Sequence, residues 1–439
     1  MLKIAFRNVL RNGRRSLMTA SAIAVGAAAL ILLGEYNGMA MVGMQTGIIR
    51  SAGHLTLFKT GYFEFGSAQP MAYGIGDYPK IIAAIKADPQ VKDKLRVVTP
   101  TVTLGGIAGN TTVDRSKTFF GQGFVPSDRD KMQSWDEYRL SPHGRYDTTG
   151  LKDADIDRGV VGQGLARILG LCQPLKVKHC PKSAELDSAM AGKTPELQLL
   201  SGASGAPNIV NFHPTEAQGM GAKELEDSYI AMNLPLAQQL LYGGGEKKVT
   251  AIVVQLNRSE DMAAVRARLN ALVTEKHFDL EIRDYKEVQP SFLQIMGFLQ
   301  VVFAFLTVVL GIIVLFTTAN TMGMSIMERT AEIGTARAMG VRRGGIRSQF
   351  LLEGAILGVF GATGGLLLGR IATYFINRAD IQYTPPGNSS PVQLYLLAHG
   401  MEGLMATIWI VLVIMATLAS IVPANRAARM NVVDALRHV

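Results

Sequence analysis

The stretch NTMGMSIMERTAEIGTARAMGVRRGGIR, Asn320 to Arg347, decides how the rest of the chain is read. It follows a long uncharged run and precedes a second apolar run that opens near Phe350, so it reads as a short basic loop between two membrane spans. Glu328, Thr330, Glu332, Ile333 and Ala336 stand among helix formers, and Gly340 can supply a left-handed C-cap. Acids open this segment while Arg337, Arg342, Arg343 and Arg347 close or follow it, which suits both ends of a helix dipole. A short amphipathic helix on the inner membrane face is expected.

Outward from that loop, apolar runs are interrupted by charge at regular places. The 40 residues between Glu287 and Glu328 carry no formal charge. As one helix they would run ~60 Å, about twice the ~30 Å hydrocarbon core. Gln289, Pro290, Gln294 and Gln300 mark the end that leaves the lipid, so a stalk joined to a second span is expected over 289–327. A third span is predicted over 350–376 and a fourth over 403–422, ending at Pro423, with an outer loop at 377–402 containing Thr384-Pro385-Pro386-Gly387. In the third span, Gly354, Gly358, Gly361, Gly364, Gly365 and Gly369 permit close helix packing. Glu353 and Arg370, near its ends, are expected to snorkel.

At the N-terminus, Lys3, Arg7, Arg11, Arg14 and Arg15 occur without an acid, and Leu17 to Leu33 is free of charge. A cleavable signal peptide has this outline. Apolar character resumes beyond Glu35 to Met44, however, which favours a helical basic segment at 1–15 and an uncleaved span at 16–44. Basic residues number five before the first span, five in 321–349 and three after Pro423, against Arg378 alone in 377–402. The positive-inside rule then puts both termini in the cytoplasm and residues 45–288 outside.

No part of 45–288 is long and apolar enough to cross a bilayer. It reads as mixed α and β, with a helix at Tyr78–Ala87, strands at Arg96–Gly105, Thr118–Phe124 and Val249–Leu256, and a turn at Pro126-Ser127-Asp128. Gly159–Leu171 reads as a strand turning into a helix. Residues 181–224, rich in Gly, Ala, Ser and Pro, are expected to be irregular. Ser259 is expected to cap a helix whose inner face holds Met262, Val265, Leu269, Leu272 and Val273. The two edges of the region suggest one α/β subdomain carrying a second one inserted within it. The expected class is therefore an α-helical membrane protein with four transmembrane helices and a large α/β extracytoplasmic domain between spans one and two.

With 48% hydrophobic and 18% charged residues, the chain resembles a few spans joined to a soluble part. The net charge of +9 belongs beside those spans rather than to a nucleic-acid surface. The two cysteines, Cys172 and Cys180, suit a disulfide closing a small loop if the region faces an oxidising compartment. A metal pair with His179 lacks the usual ligand spacing, and free thiols are the remaining alternative. No metal site is expected. His54, His143, His179 and His213 form no HExxH helix, and no GxSxG elbow occurs. At the only Gly-Lys-Thr, Gly192 to Thr194, Asp187 stands where a P-loop needs its first glycine, so no nucleotide site is expected. No polar residue stands deep in a span as a proton relay would.

The inner-loop string Glu328, Arg329, Glu332, Ile333, Gly334, Arg337, Ala338 and Gly340 resembles the coupling segment of the FtsX/MacB-like family of ABC transporter permeases. Phe6 to Arg14 resembles that family's amphipathic N-terminal helix. The tail resembles its closing motif through Pro423, Ala424, Arg426, Ala427, Ala435, Leu436 and Arg437, with Val432 in place of a usual proline. The layout is most similar to the lipoprotein-releasing Lol-type permeases of the bacterial inner membrane. The resemblance implies a non-catalytic permease, paired with a second permease subunit of the same or another kind, above two ABC ATPase subunits that bind ATP and Mg. A periplasmic adaptor or substrate-binding protein is a further implied partner, and membrane lipid surrounds the spans. Coupling would fall to Glu328, Arg329, Glu332, Ile333, Arg337 and Met339 within 328–347, and to Arg426 and Arg429 in the tail 423–439. Topology and helix capping alone would not require Glu328 and Glu332 together. The work expected is mechanotransmission, moving a lipoprotein, lipid-linked molecule, peptide or drug; the alternative is a signalling subunit that activates a periplasmic partner such as a cell-wall hydrolase.

Overall fold

A computed structural model describes every residue except 1, 67–68, 141–147, 178–179, 181–189, 191, 202–206, 246, 385–390, 399 and 433–439. His143, His179, Asp187, the Pro385-Pro386-Gly387 turn and the tail residues Ala435, Leu436 and Arg437 therefore lie outside the described residues. The chain divides into two compact units: Met1–Met41 with Gln294–Gln382 and Gln393–Val439, and Val42–Leu293 with Tyr383–Val392.

The first unit is helical. Among the described residues, four helices are long and apolar enough to cross a membrane: Gly13–Ala52, Pro290–Glu328, Arg343–Arg378 and the run beginning at Glu402. The N-terminal helix is shorter than the expected 1–15. It spans Leu2–Arg11, and a new helix starts at Gly13. The helix of the third span opens at Arg343, seven residues before the apolar run, because the loop before it is only a turn. The fourth span does not end at Pro423. Its helix, Glu402–Ala419, breaks at Ser420, and a second helix runs Ile421–Arg429 with Pro423 in its first turn. Proline has no N–H to give to a carbonyl four residues back, so the break falls just ahead of it.

Close approach in this unit depends on glycine. A Cβ on Gly361 would stand 2.6 Å from Cβ of Ile23, and one on Gly365 would stand 2.6 Å from the Ala24 carbonyl oxygen. Both glycines belong to the third span and face the first. Thr19 Oγ1 donates to Thr321 Oγ1 at 2.7 Å, tying the first span to the second. Arg370 does not snorkel freely. It lies 3.6 Å from Oε1 of Glu35, whose side chain is fully buried and whose other oxygen accepts from Thr373 at 2.5 Å. An acid, a base and a hydroxyl thus join the first and third spans, where the sequence had suggested only a snorkelling Arg370.

The second unit is built on one nine-stranded sheet, ordered β3-β7-β4-β6-β5-β2-β8-β1-β9. The strands are β1 Leu55–Lys59, β2 Leu95–Asn110, β3 Arg115–Phe124, β4 Arg158–Gly162, β5 Leu197–Ser201, β6 Asn208–Gln218, β7 Tyr229–Asn233, β8 Ala251–Leu256 and β9 Leu280–Asp284. β2 belongs to two arrangements. Its first half pairs with β8, and β8-β1-β9 continue antiparallel, with helices Tyr78–Ala87 and Met262–Glu275 connecting strands in the split β-α-β manner. Its second half pairs with both β3 and β5, and β3-β7-β4-β6-β5 complete a ring of six strands. A closed ring leaves no unpaired edge on that side.

Three local expectations are corrected. Pro126-Ser127-Asp128 opens a helix, Pro126–Gln133, rather than a turn, since proline is well placed at a helix's first position and Asp128 suits its first turn. Within 181–224, β5 and β6 are regular strands. Buried Leu197, Leu199, Val210 and Phe212 alternate with outward Gln198 and Asn211, a period that the small and polar composition hid. Ser259 does not cap a helix through its side chain. Its N–H and hydroxyl both donate to Oε2 of Glu137, at 2.9 and 2.7 Å, and a 3-10 turn, Ser259–Asp261, leads into the helix. Cys172 and Cys180 form a disulfide with a Cα separation of 6.0 Å.

Fully buried His54 is held neutral by this packing. Its Nδ1 accepts the Leu256 N–H at 3.0 Å, its Nε2 lies 3.2 Å from the Ser259 hydroxyl, and the Trp135 ring meets it edge-on. With Nδ1 spent on a backbone N–H, the imidazole is no general base, so the Glu137–Ser259–His54 string is structural. Burial pushes the His54 pKa down to about 4. Between 6.5 and that value the unfolded chain binds a proton that the folded chain refuses, so stability falls as pH drops through this window, by up to ~3 kcal/mol. Denaturant unfolding of the second unit at pH 7 and pH 4.5 is expected to show this loss, and His54→Gln to remove it; an unchanged pH slope in the variant would refute the assignment. In the first unit, Gly365→Val is expected to lower the thermal unfolding midpoint in detergent by several degrees, whereas Gly323→Val, where nothing lies within 4 Å of an added Cβ, leaves it unchanged.

Candidate functional site

The candidate site is the loop end of the helical unit. The second-span helix ends at Glu328, Arg329 turns the chain, and Thr330–Ala338 forms a separate helix. Gly340 closes it at φ +91°, with its N–H donating to the Arg337 carbonyl and the Val341 N–H donating to that of Ala336. This pair of bonds is the Schellman arrangement, which only a left-handed residue completes without strain.

The short helix is pinned on its inner side. Ile333 is buried with Met322, Ile326, Ile346, Phe350, Ala424 and Ala427. Arg337 Nη1 donates to the carbonyls of Met430 at 2.6 Å and Ala428 at 3.2 Å, capping the end of the Ile421–Arg429 helix with a cation. Arg329 is 7% exposed and bonds both carboxylate oxygens of Glu353, at 3.1 and 3.2 Å, with Phe350's ring beneath its guanidinium. Glu353, 3% exposed, also accepts from Asn8 Nδ2 at 2.7 Å and Gln349 Nε2 at 3.3 Å. Glu353 therefore does not snorkel; it is the hub of a buried web that reaches the N-terminal helix.

Farther out, Glu332 bridges Arg11 at 2.7 Å and Arg329 at 3.2 Å, and Glu328 pairs with Arg15. The Arg11 bond, ahead of Arg329, holds the Glu332 carboxyl below its ordinary range against a smaller opposing effect of burial. Both outer pairs are about half exposed, so they are screened and contribute little stability.

Of the residues expected to couple, the structure turns Arg329 and Ile333 inward and commits Arg337 to backbone carbonyls. Met339 is 76% exposed, and Glu328, Glu332, Arg426 and Arg429 are exposed. Met339 is thus a bare apolar side chain just past the Thr330–Ala338 helix, as Met327, 73% exposed, is just ahead of it. Asn8, Gln349 and Glu353 were missed as partners. The legible signal was Arg329 between two acids, with a further acid on the facing side of the next helix.

The comparisons with known proteins bear on this helical unit and its loop. Residues 301–432 match the FtsX-like permease C-terminal model, and this part of the chain is an FtsX-like permease domain. The lipoprotein-releasing system transmembrane protein LolC of Neisseria meningitidis is 23% identical over 328 residues, 72% of each chain. The macrolide export ATP-binding/permease protein MacB of Chromobacterium violaceum is 22% identical over 431 residues, 92% of this chain and 61% of its own. An uncharacterised ABC transporter permease of Methanocaldococcus jannaschii is 25% identical over 225 residues, 48% of this chain, so the match spans about half of that relative, 51%.

Removing Arg329 would leave Glu353 buried without its cation. Arg329→Ala is expected to destabilise the helical unit by about 3 kcal/mol, and Arg329→Met with Glu353→Leu by clearly less. Denaturation in detergent checks this; equal losses for the single and double variants would show that the pair acts only by filling space.

Proposed function

We propose that the chain is the permease subunit of an ABC transporter that works by mechanotransmission, with ATP hydrolysed by a partner ATPase. The observation that carries this reading is the division of labour in the inner loop. Arg329, Ile333 and Arg337 pin the Thr330–Ala338 helix to the ends of the spans, while Met339, Glu328, Glu332, Arg426 and Arg429 are exposed. A helix fixed on one side and bare on the other transmits a push instead of absorbing it. Glu328 and Glu332 each have an arginine of the N-terminal segment, so a docking partner would compete with Arg15 and Arg11 for them.

The excess of Lys and Arg beside the spans supports a cytoplasmic side for both termini and this loop, and a periplasmic one for the α/β unit. The Cys172–Cys180 disulfide supports that side, since such bonds persist where the compartment is oxidising. Helices of 40 and 39 residues, Gly13–Ala52 and Pro290–Glu328, exceed what lipid requires and supply the stalks. The names of the LolC and MacB relatives, lipoprotein release and macrolide export, favour a lipoprotein or a drug as cargo.

The chain, affinity-tagged and purified from its native membrane, is expected to bring an ABC ATPase and its ATP hydrolysis with it. Met339→Asp, a surface change, should lower the retained ATPase at least ten-fold with no shift in the unfolding midpoint. Full retention by this variant would overturn the docking assignment.

A further inference from the structure

We propose that the α/β unit contains a binding site for an amphipathic anion, a carboxylate or phosphate carried on an aromatic or acyl body, with Arg129 as the residue that takes its charge. The site goes beyond the permease reading and does not depend on it. A cavity of about 620 Å³ opens in this unit. One part of its wall is apolar, from Phe124, Val160, Tyr229 and Ala231, a buried cluster separate from the main core, with Met220 packed against it. The rest is polar, including Thr149, Gln133 and Gln218.

Arg129 lies in this wall with only 8% of its surface exposed. Its Nη1 donates to the Ser51 carbonyl at 2.5 Å and its Nη2 to Gln122 Oε1 at 3.3 Å, while its guanidinium stands over the Phe124 ring at 5.2 Å. Among the described residues no carboxylate comes within 4 Å of it. The neighbouring acids are engaged elsewhere: Asp130 accepts the N–H and hydroxyl of Thr149, and Asp136 pairs with Arg50. The other buried arginine with the same degree of exposure, Arg329, has its own glutamate.

A guanidinium keeps its charge at any pH a cell experiences, so burial cannot be relieved by losing the proton. Neutral oxygens offset only part of the desolvation, and a counter-charge in the cavity would offset the rest. A planar donor fork favours carboxylate and phosphate oxygens over other anions. The apolar wall selects what the anion is attached to, because filling about 600 Å³ with an apolar body is what makes a pocket of this kind bind. The Tyr229 hydroxyl donates to the same Gln122 Oε1 at 3.4 Å, and burial raises its pKa, so this wall adds no second charge.

The test uses the full chain in phosphatidylcholine nanodiscs, titrated calorimetrically with 2-naphthoate, 2-naphthyl phosphate and neutral 2-naphthamide, with empty nanodiscs subtracted. Both anions are expected to bind saturably, at least ten-fold more tightly than the amide. Arg129→Gln should erase that preference and leave amide binding unchanged. Because Arg129 also ties β3 and a helix end together, Met220→Trp serves as a second variant that fills the cavity and should abolish binding of all three probes. Equal affinity for the amide, an intact preference in a folded Arg129→Gln chain, or unchanged binding by Met220→Trp would each overturn the proposal. Replacing part of the phosphatidylcholine with phosphatidylglycerol separates the sources of the anion: competition assigns a lipid headgroup, and its absence a soluble acid, each at the same site.

Discussion

The Arg329–Glu353 pair is the constraint around which the helical unit is arranged. Two charges buried to this degree are tolerable only when each has its full set of partners, and here Asn8, Gln349 and Glu332 complete the set. Those partners come from the N-terminal helix, the short loop helix and the third span. Three pieces of chain far apart in sequence must therefore be in register at once. Such a web adds little net stability over an apolar core of the same shape. What it supplies is a single allowed arrangement, since any slip of the loop helix would strand a charge.

This web also explains why the loop helix is so short. With a charge of its own to bury, Arg329 cannot continue the second-span helix along the lipid boundary, and the chain turns there. Thr330–Ala338 then has only enough length to bury Ile333 and to hand Arg337 to the carbonyls at 428 and 430 before Gly340 stops it. Nine residues is below the length at which a helix holds itself together in water. Its order comes from the spans beneath it, through Ile333 and Arg337.

Much of this was legible in the sequence because it rests on periodicity and punctuation. Apolar runs gave the four span helices, and Gly340 gave the loop helix its end. What was not legible rests on pairing across long separations. Nothing local shows that Glu353 meets Arg329 or that Glu35 meets Arg370 and Thr373, so Glu353 and Arg370 read as snorkelling ends and Arg329 as an outward coupling residue. The same blindness applied to β5 and β6. Their alternation of Leu197, Leu199, Val210 and Phe212 was present, but the glycine and serine between them outweighed it in a reading by composition.

The long strand β2 is the counterpart, in the α/β unit, of the buried ion pair in the helical one. From Val97 to Val102 it is buried on both faces, because Val98 and Val102 enter the main core while Val97 meets Met132 and Val253 on the other side. Farther along it passes into the six-stranded ring, so the two halves of the unit share one backbone rather than a flexible linker. Arg129 sits on the helix that covers this strand, with its guanidinium held by a carbonyl at the end of Gly13–Ala52. A ligand charge placed against that guanidinium would act on the helix end and the sheet together. A binding site in this position is therefore coupled to the element that supports it by a direct hydrogen bond, with no intervening loop to absorb the change.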